Sequence, residues 1–166
     1  AAGDATLQAL RRRALPVVTI GKPTGNPDDV PHVDIHSAQT TRLLLDHLRA
    51  QGARKVAMVL GTQPRNSYIE ARAADEAFAA ESGQAPLLVQ ADEAQGETAG
   101  EEATAALLAA HPDIDGFCVP VDAFAVGTAR ALQAAGRRIP QDAMVGTRYD
   151  GIRARTCQPP LTAVDL

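Results

Sequence analysis

Short apolar runs alternate along the chain with longer segments whose apolar residues recur every three or four positions. The short runs are apolar at both alternating positions, which is typical of parallel strands covered by helices on both faces. Their starts are spaced by roughly 25–40 residues, the length of one strand–helix unit. The pattern therefore predicts an α/β fold with a doubly wound parallel sheet. The predicted strands are 16–20, 55–60, 85–91, 116–121 and 143–147.

Polar caps and glycines mark the ends of the predicted helices. Ser37 stands where it can cap a helix that Gly52 closes. Ser67 and Glu70 have the spacing of a capping box, in which each side chain accepts from the backbone N–H of the other residue. They therefore predict the start of a second helix. A third, Ala-rich helix is predicted over 97–110.

Asp122 directly follows an apolar run and opens a helix predicted to continue through Ala135. In an open parallel sheet, ligands bind beyond the carboxyl ends of the strands, which is where Asp122 lies. Two interpretations stay open: Asp122 only caps its helix, which stabilises by about 1 kcal/mol, or it also lines a ligand crevice. Further polar side chains that are candidates for the same crevice are Arg65, Asn66, Arg72, Arg148 and Asp150.

Composition narrows the function classes for this chain of 166 residues. Its net charge of −4 gives no strongly basic face, which argues against a nucleic-acid-binding domain. No apolar run approaches the roughly 18 residues of a membrane span. The sequence has no glycine-rich phosphate loop and no metal-ligand motif, and its two cysteines make no disulfide framework. We therefore predict no metal, no cofactor and no membrane contact.

Five segments are informative when they are taken in order along the chain: DIHSAQTTRLLLDHLRAQGARKVAMVLG, RNSYIEARAADEAF, GFCVPVDAFAVGTARALQAAGRRIPQDAMV, RYDG and PPLTAVDL. Together they resemble the effector-binding core of the LacI/GalR family of bacterial transcriptional repressors. The resemblance implies a two-lobed fold of the periplasmic-binding-protein type, with a small-molecule effector, a sugar or sugar derivative, held between the lobes. It also implies a cytoplasmic homodimer that binds operator DNA only through an N-terminal helix-turn-helix, and no enzyme activity.

The resemblance also divides the chain. It implies that residues 1–36 are the tail of the N-terminal effector-binding lobe, that 37–160 form the C-terminal lobe, and that 161–166 start the return crossing. The Gly- and Pro-rich segment 21–33 is the predicted loop or lobe crossing. The chain has no initiator Met and stops within a strand-like run, so we expect a piece of a longer protein that lacks the helix-turn-helix.

The resemblance assigns effector contacts to five positions. Arg72 matches the family arginine on the helix after the first strand of this lobe, Asp150 matches the first Asp of the family's G[YF]DD, and Asp122 matches the Asp of the family's ND pair. Arg65 and Ser67 fall where related regulators place polar contacts.

Departures from the family pattern change the expected ligand. Val121 replaces the Asn of the ND pair, Gly151 replaces the second Asp of G[YF]DD, and Glu93 stands near where many members stack an aromatic ring on the ligand. Arg148 replaces the glycine of G[YF]DD and adds a cation. These changes favour an anionic effector, such as a sugar acid or sugar phosphate. The competing interpretation is that Arg148 pairs with a carboxylate such as Glu93 and closes the site.

Other functions and assemblies stay open at this point. A transporter's solute-binding protein shares the two-lobed fold. A doubly wound enzyme is a further alternative, although no G-x-S-x-G nucleophile turn occurs. We also expect the helix that starts at Asp122 to lie partly at a subunit interface, because Ala125, Gly127 and Ala129 permit close approach. The alternative is that these small residues only pack on the sheet.

Overall fold

The computed structural model describes residues 5–23 and 30–166. Its helices are α1 (Ala5–Arg12), α2 (Ser37–Ala50), α3 (Asn66–Glu81), α4 (Glu97–Ala110), α5 (Asp122–Ala134) and α6 (Ile152–Thr156). Its strands are β1 (Thr19–Ile20), β2 (His32–Val33), β3 (Val56–Gly61), β4 (Leu87–Ala91), β5 (Gly116–Val119), β6 (Met144–Thr147) and β7 (Thr162–Ala163). A short 3-10 turn, Glu93–Gln95, precedes α4.

Five strands form one parallel sheet in the order β4-β3-β5-β6-β7. The chain enters at β3, steps to the edge strand β4, and then crosses back to β5. Consequently α3 and α5 leave the neighbouring strands β3 and β5 toward opposite faces, and a crevice opens between the loops that follow these strands. The predicted doubly wound parallel sheet is confirmed.

Both faces of the sheet are covered, as the uniformly apolar strands predicted. Side chains of β3 alternate between two cores: Ala57 and Val59 pack with α4 and α5, whereas Met58 and Leu60 pack with α2 and α3. All four are at most 1% exposed. Because the strands are parallel and buried, their carboxyl ends lie on the same edge of the sheet, and the loops that follow them lie there too.

The backbones of α4 and α5 approach each other closely because two glycines face each other's helix. A Cβ on Gly100 would lie 2.4 Å from the carbonyl oxygen of Phe124, and one on Gly127 would lie 2.0 Å from that of Glu97. No other residue fits at such distances without moving the backbone. This packing anchors the start of α5 against α4.

The small residues of α5 that we predicted at a subunit interface are instead used within the chain. Ala125 and Ala129 are at most 1% exposed, and Gly127 is buried against α4. These three residues are therefore covered within the chain, and Gly127 packs on α4 rather than on the sheet as the alternative interpretation expected. The location of the rest of α5 in a dimer stays a prediction.

The start of α2 differs from the prediction by one residue. Ser37 is the first residue of the helix, and His36 occupies the cap position in a left-handed conformation. The backbone N–H of His36 donates to Oδ1 of Asp34 at 3.2 Å. A turn formed by Asp34 thus begins the helix, and Ser37 is buried instead of capping.

The predicted capping box of α3 is wrong. The helix begins at Asn66, with Arg65 in the cap position and no side-chain cap, so Ser67 lies inside the first turn. Glu70 does not reach back to the helix start, because Lys22 Nζ donates to its Oε1 at 3.1 Å. A long-range ion pair has replaced the local cap.

The predicted strand over 16–20 is shortened to β1, which pairs in parallel with β2 in a separate two-stranded sheet. β2 lies at the end of the segment predicted as the crossing loop, 21–33. Part of that segment, 24–29, lies outside the described residues. The apolar run does not join the main sheet, and the short pairing with β2 leaves Ile20 89% exposed.

The C-terminal segment adds the last strand of the sheet. β7 pairs with β6, with Gly146 opposite Thr162 and Thr147 opposite Ala163. The division at 36, 160 and 166 stays a prediction. Among the residues that the structure describes, no helix is both long and apolar enough to span a membrane.

Candidate functional site

The loops after β3, β5 and β6 meet at the carboxyl edge of the sheet and enclose a cavity of about 190 Å³. Nine residues line it: Arg65, Ser67, Tyr68, Glu93, Pro120, Val121, Asp122, Arg148 and Tyr149. A neighbouring cavity of about 610 Å³ extends from the same loops toward β1 and shares Arg65, Ser67 and Tyr149 with the first. We call the two together the crevice. It lies where the topology predicted a ligand site.

Glu93 closes one side of the smaller cavity. Its carboxylate accepts a hydrogen bond from the Tyr68 hydroxyl and pairs with Nη2 of Arg65 at 2.9 Å. A Cβ on Gly61 would lie 2.3 Å from Oε1 of Glu93, so only glycine leaves room for this arrangement at the end of β3. Burial, together with the Glu93 carboxylate, raises the pKa of Tyr68, which keeps the hydroxyl a donor. No sequence pattern marked Tyr68 as a site residue, because helix periodicity makes it an ordinary core residue.

Arg148 follows β6 and is only 2% exposed, although it lines the cavity. Its Nη2 is sealed from solvent and has no hydrogen-bond partner in the described part of the chain. Glu93, the carboxylate that sequence reasoning offered as its partner, pairs with Arg65 instead. The predicted closure of the site by Arg148 and Glu93 does not occur.

Asp122 is the first residue of α5 and not its cap, so the predicted helix cap is wrong, whereas its predicted place in the crevice agrees with the cavity lining. Its Oδ1 accepts from the backbone N–H of Ala123 at 2.8 Å, so it satisfies a donor at the helix start, although Val121 holds the formal cap position. It also lines the cavity. Arg153 places Nη1 3.3 Å from Oδ2 of Asp122, so this carboxylate already has a cation beside it.

Two predicted contact residues do not line the smaller cavity. Asp150 receives two hydrogen bonds from Arg155, at 2.7 and 3.1 Å, and this guanidinium lowers the pKa of the carboxyl. Arg72 is half-buried on α3 and has no hydrogen bond or ion pair with any residue that the structure describes. Of the six predicted contacts, the cavity brings together Arg65, Ser67, Asp122 and Arg148.

A polar cluster ties the first turns of α3 to the segment after β1. Lys22 Nζ lies 3.1 Å from carboxylate oxygens of both Asp34 and Glu70, and the side-chain hydrogen bond to Asp34 is the main reason that its pKa is raised. Asn66 Nδ2 donates to the carbonyls of Lys22 and Pro23 at 3.2 and 2.7 Å. These contacts form one wall of the larger cavity. Sequence reasoning missed Lys22, whose only signal was its place in the Gly- and Pro-rich segment.

The chemistry of the crevice suits a polar molecule. The crevice offers guanidinium, hydroxyl and carboxylate groups on both sides of a concave surface, which can form directional hydrogen bonds with hydroxyls or an anionic group. Cys118, a residue type that can act as a nucleophile, is fully buried in β5, and burial raises the pKa of its thiol. It acts as a core residue, as predicted.

The chain matches one protein-family model and is similar in sequence to known transcriptional regulators. Residues 45–166 match the periplasmic binding protein-like domain. The chain is 29% identical to the HTH-type transcriptional regulator CelR of Thermobifida fusca, an alignment that covers 98% of the chain and 48% of that protein. It is 30% identical to the ribose operon repressor of Halalkalibacterium halodurans over 83% of the chain and 41% of that protein. The chain thus spans about half the length of the curated relatives it matches.

Solved structures agree with this result. The complex of the transcriptional regulator CelR with cellobiose superposes with a TM-score of 0.88 at 28% identity, over 98% of the chain and 50% of that protein. A LacI transcriptional regulator from a Rhodococcus species gives a TM-score of 0.83 at 25% identity, over 96% of the chain and 58% of that protein. The chain therefore belongs to the periplasmic binding protein-like domain family, in the form found in the effector-binding part of LacI-type regulators.

Proposed function

We propose that the chain is the effector-sensing part of a LacI-type transcriptional repressor and binds a carbohydrate-related molecule in the crevice. The observation that carries the proposal is the convergence of Arg65, Ser67, Asp122 and Arg148 on one cavity at the carboxyl edge of the sheet. These residues come from three separate strand–helix units, and only the fold brings them together. The relatives named as regulators, one of them in complex with cellobiose, support the same function.

The effector acts by shifting a population of lobe arrangements. The larger cavity lies between the sheet's carboxyl edge and the segment of β1, and residues from both sides line it, among them Ile20 and Tyr149. A molecule that contacts both sides favours the arrangement in which they are close. We propose 1–36 and 37–160 as parts of two lobes, with 161–166 at the return crossing between them.

The remaining steps belong to the whole protein. In a homodimer, lobe closure changes the spacing of two DNA-binding heads and hence the affinity for operator DNA. Such a protein acts in the cytoplasm and needs no bond-making step, so we propose that it has no enzyme activity. Its net charge of −4 leaves DNA binding to a segment other than these 166 residues.

Operator binding by the intact protein tests the proposal. Fluorescence anisotropy of labelled operator DNA is measured with and without cellobiose and a panel of other sugars. We expect one panel member to release or tighten the DNA complex, and Asp122→Asn to weaken that response by about tenfold, the loss expected for one charge-assisted hydrogen bond.

Asp113→Asn is the matched control, because Asp113 pairs with Lys55 on the exposed surface at the opposite edge of the sheet. This variant should respond as the wild type does. If no sugar changes DNA binding, or if both variants lose the response equally, the assignment of the crevice as the sensor is wrong.

A further inference from the structure

The carboxylates at the crevice already have cationic partners. Glu93 contacts both Tyr68 and an arginine, and Asp122 pairs with an arginine of α6; Asp150, which follows Tyr149 but lines neither cavity, accepts two hydrogen bonds from another arginine of α6. In the larger cavity, Lys22 forms ion pairs with both Asp34 and Glu70. The arginine pairs are Glu93 with Arg65 at 2.9 Å, Asp122 with Arg153 at 3.3 Å, and Asp150 with Arg155 at 2.7 Å.

Arg148 is the exception, and it is the one buried arginine of this group. The three paired arginines have side chains 51–67% exposed, so water could have solvated them without any partner. Arg148 is 2% exposed and its Nη2 has no acceptor among the described residues. A buried guanidinium nitrogen without an acceptor is unfavourable, and a ligand that supplies an acceptor in the cavity would satisfy it.

The surroundings of Arg148 show what kind of acceptor is missing. The cavity that it lines also exposes Ser67, which can donate to an anionic oxygen, and it continues into the larger cavity past Tyr149. A planar guanidinium binds a carboxylate or a phosphate through two parallel hydrogen bonds. A neutral hydroxyl offers one acceptor oxygen, whereas a carboxylate or phosphate offers two that match the planar fork.

We propose that the effector carries an anionic oxygen group, a carboxylate or a phosphate, that pairs with Arg148. The polyhydroxylated remainder lies in the larger cavity beside Tyr149. This inference rests on the proposed sensing function and narrows the ligand from carbohydrate-related molecules in general to sugar acids or sugar phosphates.

Calorimetric titration of the intact protein with matched sets tests the ligand class. One set is glucose, gluconate, glucuronate and glucose 6-phosphate; corresponding sets are built on ribose, galactose and cellobiose. We expect the tightest ligand to be an anionic member that binds at least tenfold more tightly than its neutral parent. Comparing the acid with the phosphate of the same sugar shows which group supplies the charge.

A tightest ligand that is neutral, and that changes operator binding, overturns the anionic assignment while the sensing function stands. If no member of any set binds, the sensing site and the anionic assignment fail together.

Two substitutions then test whether Arg148 is the residue that binds the anionic group of the ligand. Arg148→Met keeps the length of the side chain and removes the cation, and Arg148→Lys keeps the charge but removes the planar fork. We expect Arg148→Met to melt at a higher temperature than the wild type without ligand and to lose the tenfold preference for the anionic ligand, and Arg148→Lys to keep part of that preference. Arg138→Met, on an exposed arginine paired with Asp142, is the control and should keep the full preference.

If Arg148→Met still folds and keeps the preference for the anionic ligand, the anion binds elsewhere and the proposal is wrong. If both Arg148 variants melt at lower temperature and discriminate as the wild type does, Arg148 has a structural role only.

Discussion

The two faces of the sheet bury polar groups in different ways. Between α4 and α5, the hydroxyls of Thr104 and Thr128 bond each other at 2.8 Å, and the two backbones touch. On the face of α2 and α3, three enclosed polar atoms lack partners among the described residues: Thr41 Oγ1, Asp75 Oδ2 and Arg148 Nη2. Thr147 Oγ1 is an unsatisfied atom on the α4–α5 side, since it follows Val145 by two positions in β6.

The difference separates a face whose buried hydroxyls are largely satisfied within the chain from a face that holds most of the unsatisfied atoms. Close apolar packing and mutually satisfied hydroxyls stabilise the α4–α5 side. Unsatisfied polar groups cost free energy on the other side, where the smaller cavity of the crevice is formed in part by α3 and Arg148. Substitutions on the first face should therefore destabilise, and removal of unsatisfied groups on the second face should stabilise.

Gly127→Ala should have the largest effect. The new Cβ would lie 2.0 Å from the carbonyl oxygen of Glu97 and 2.6 Å from the nitrogen of Glu101, and neither backbone atom can rotate away. We expect a loss of about 3 kcal/mol or more in the free energy of unfolding, measured by urea denaturation. Gly151→Ala is the control, because its Cβ meets nothing within 4 Å. Equal stability of the two variants would show that α4 and α5 do not pack this closely.

Asp75→Asn should stabilise the protein, with a size that depends on pH. Burial, and then the nearby charge of Glu76, raise the pKa of Asp75 from 3.8 to about 6. The folded state therefore holds a proton that the unfolded state releases between these values, so the stability contributed by this group is present below about pH 4 and lost as pH rises to about 6. At pH 7.5 the ionised carboxyl costs up to about 3 kcal/mol, which the amide removes.

The pH profile of Asp75→Asn distinguishes this cause from a general packing effect. Thermal unfolding is followed from pH 4 to pH 8, and the gain over the wild type should grow with pH and level off above pH 6. Asp113→Asn should instead lose a similar, small amount of stability across this range, because Lys55 lowers the pKa of Asp113 and the carboxyl is largely ionised in both the folded and the unfolded state above about pH 4. A gain for Asp75→Asn that is the same at every pH contradicts the ionisation argument.

Gly61→Ala would also place a Cβ too close to its neighbours, but these are side-chain atoms instead of backbone atoms. Its Cβ would lie 2.3 Å from Oε1 of Glu93 and 2.6 Å from Cε2 of Tyr68. The tip of Glu93 can swing away, so we expect a loss of about 1–2 kcal/mol, smaller than for Gly127→Ala. Displacing Glu93 also frees Arg65, so the same variant should bind anionic sugars at least as tightly as the wild type by calorimetry. A loss as large as that of Gly127→Ala would mean that Glu93 is rigidly held.

The layout of the sheet could be predicted because it follows from local, repeated signals. Apolar runs such as 55–60 are buried on both faces, and glycine at 52 closes α2 through a positive φ. Helix starts were predicted less well, since long-range pairs override local caps. Glu70 is held by Lys22, which is 48 positions earlier and which no spacing rule connects to it.

The positions of the site residues could be predicted from topology, but their pairing could not. Topology alone places the residues that follow β3, β5 and β6 at one edge, which is why Arg65, Asp122 and Arg148 meet. Pairing within that edge is decided by side-chain reach in three dimensions. Arg153 and Arg155 on α6 take the carboxylates of Asp122 and Asp150, and no sequence motif marks either arginine as part of the site.

Threonine-to-valine exchanges should give the smallest effects, with opposite signs on the two faces. Thr41 is fully buried on α2 with an unsatisfied Oγ1, so Thr41→Val removes a polar atom without a partner and should stabilise by about 1 kcal/mol. Thr104→Val leaves the hydroxyl of Thr128 without its partner and should destabilise by about 1 kcal/mol, whereas the double change at 104 and 128 should recover most of that loss. Urea denaturation of the four proteins measures each value. Equal signs for Thr41→Val and Thr104→Val would show that the two faces treat buried hydroxyls alike.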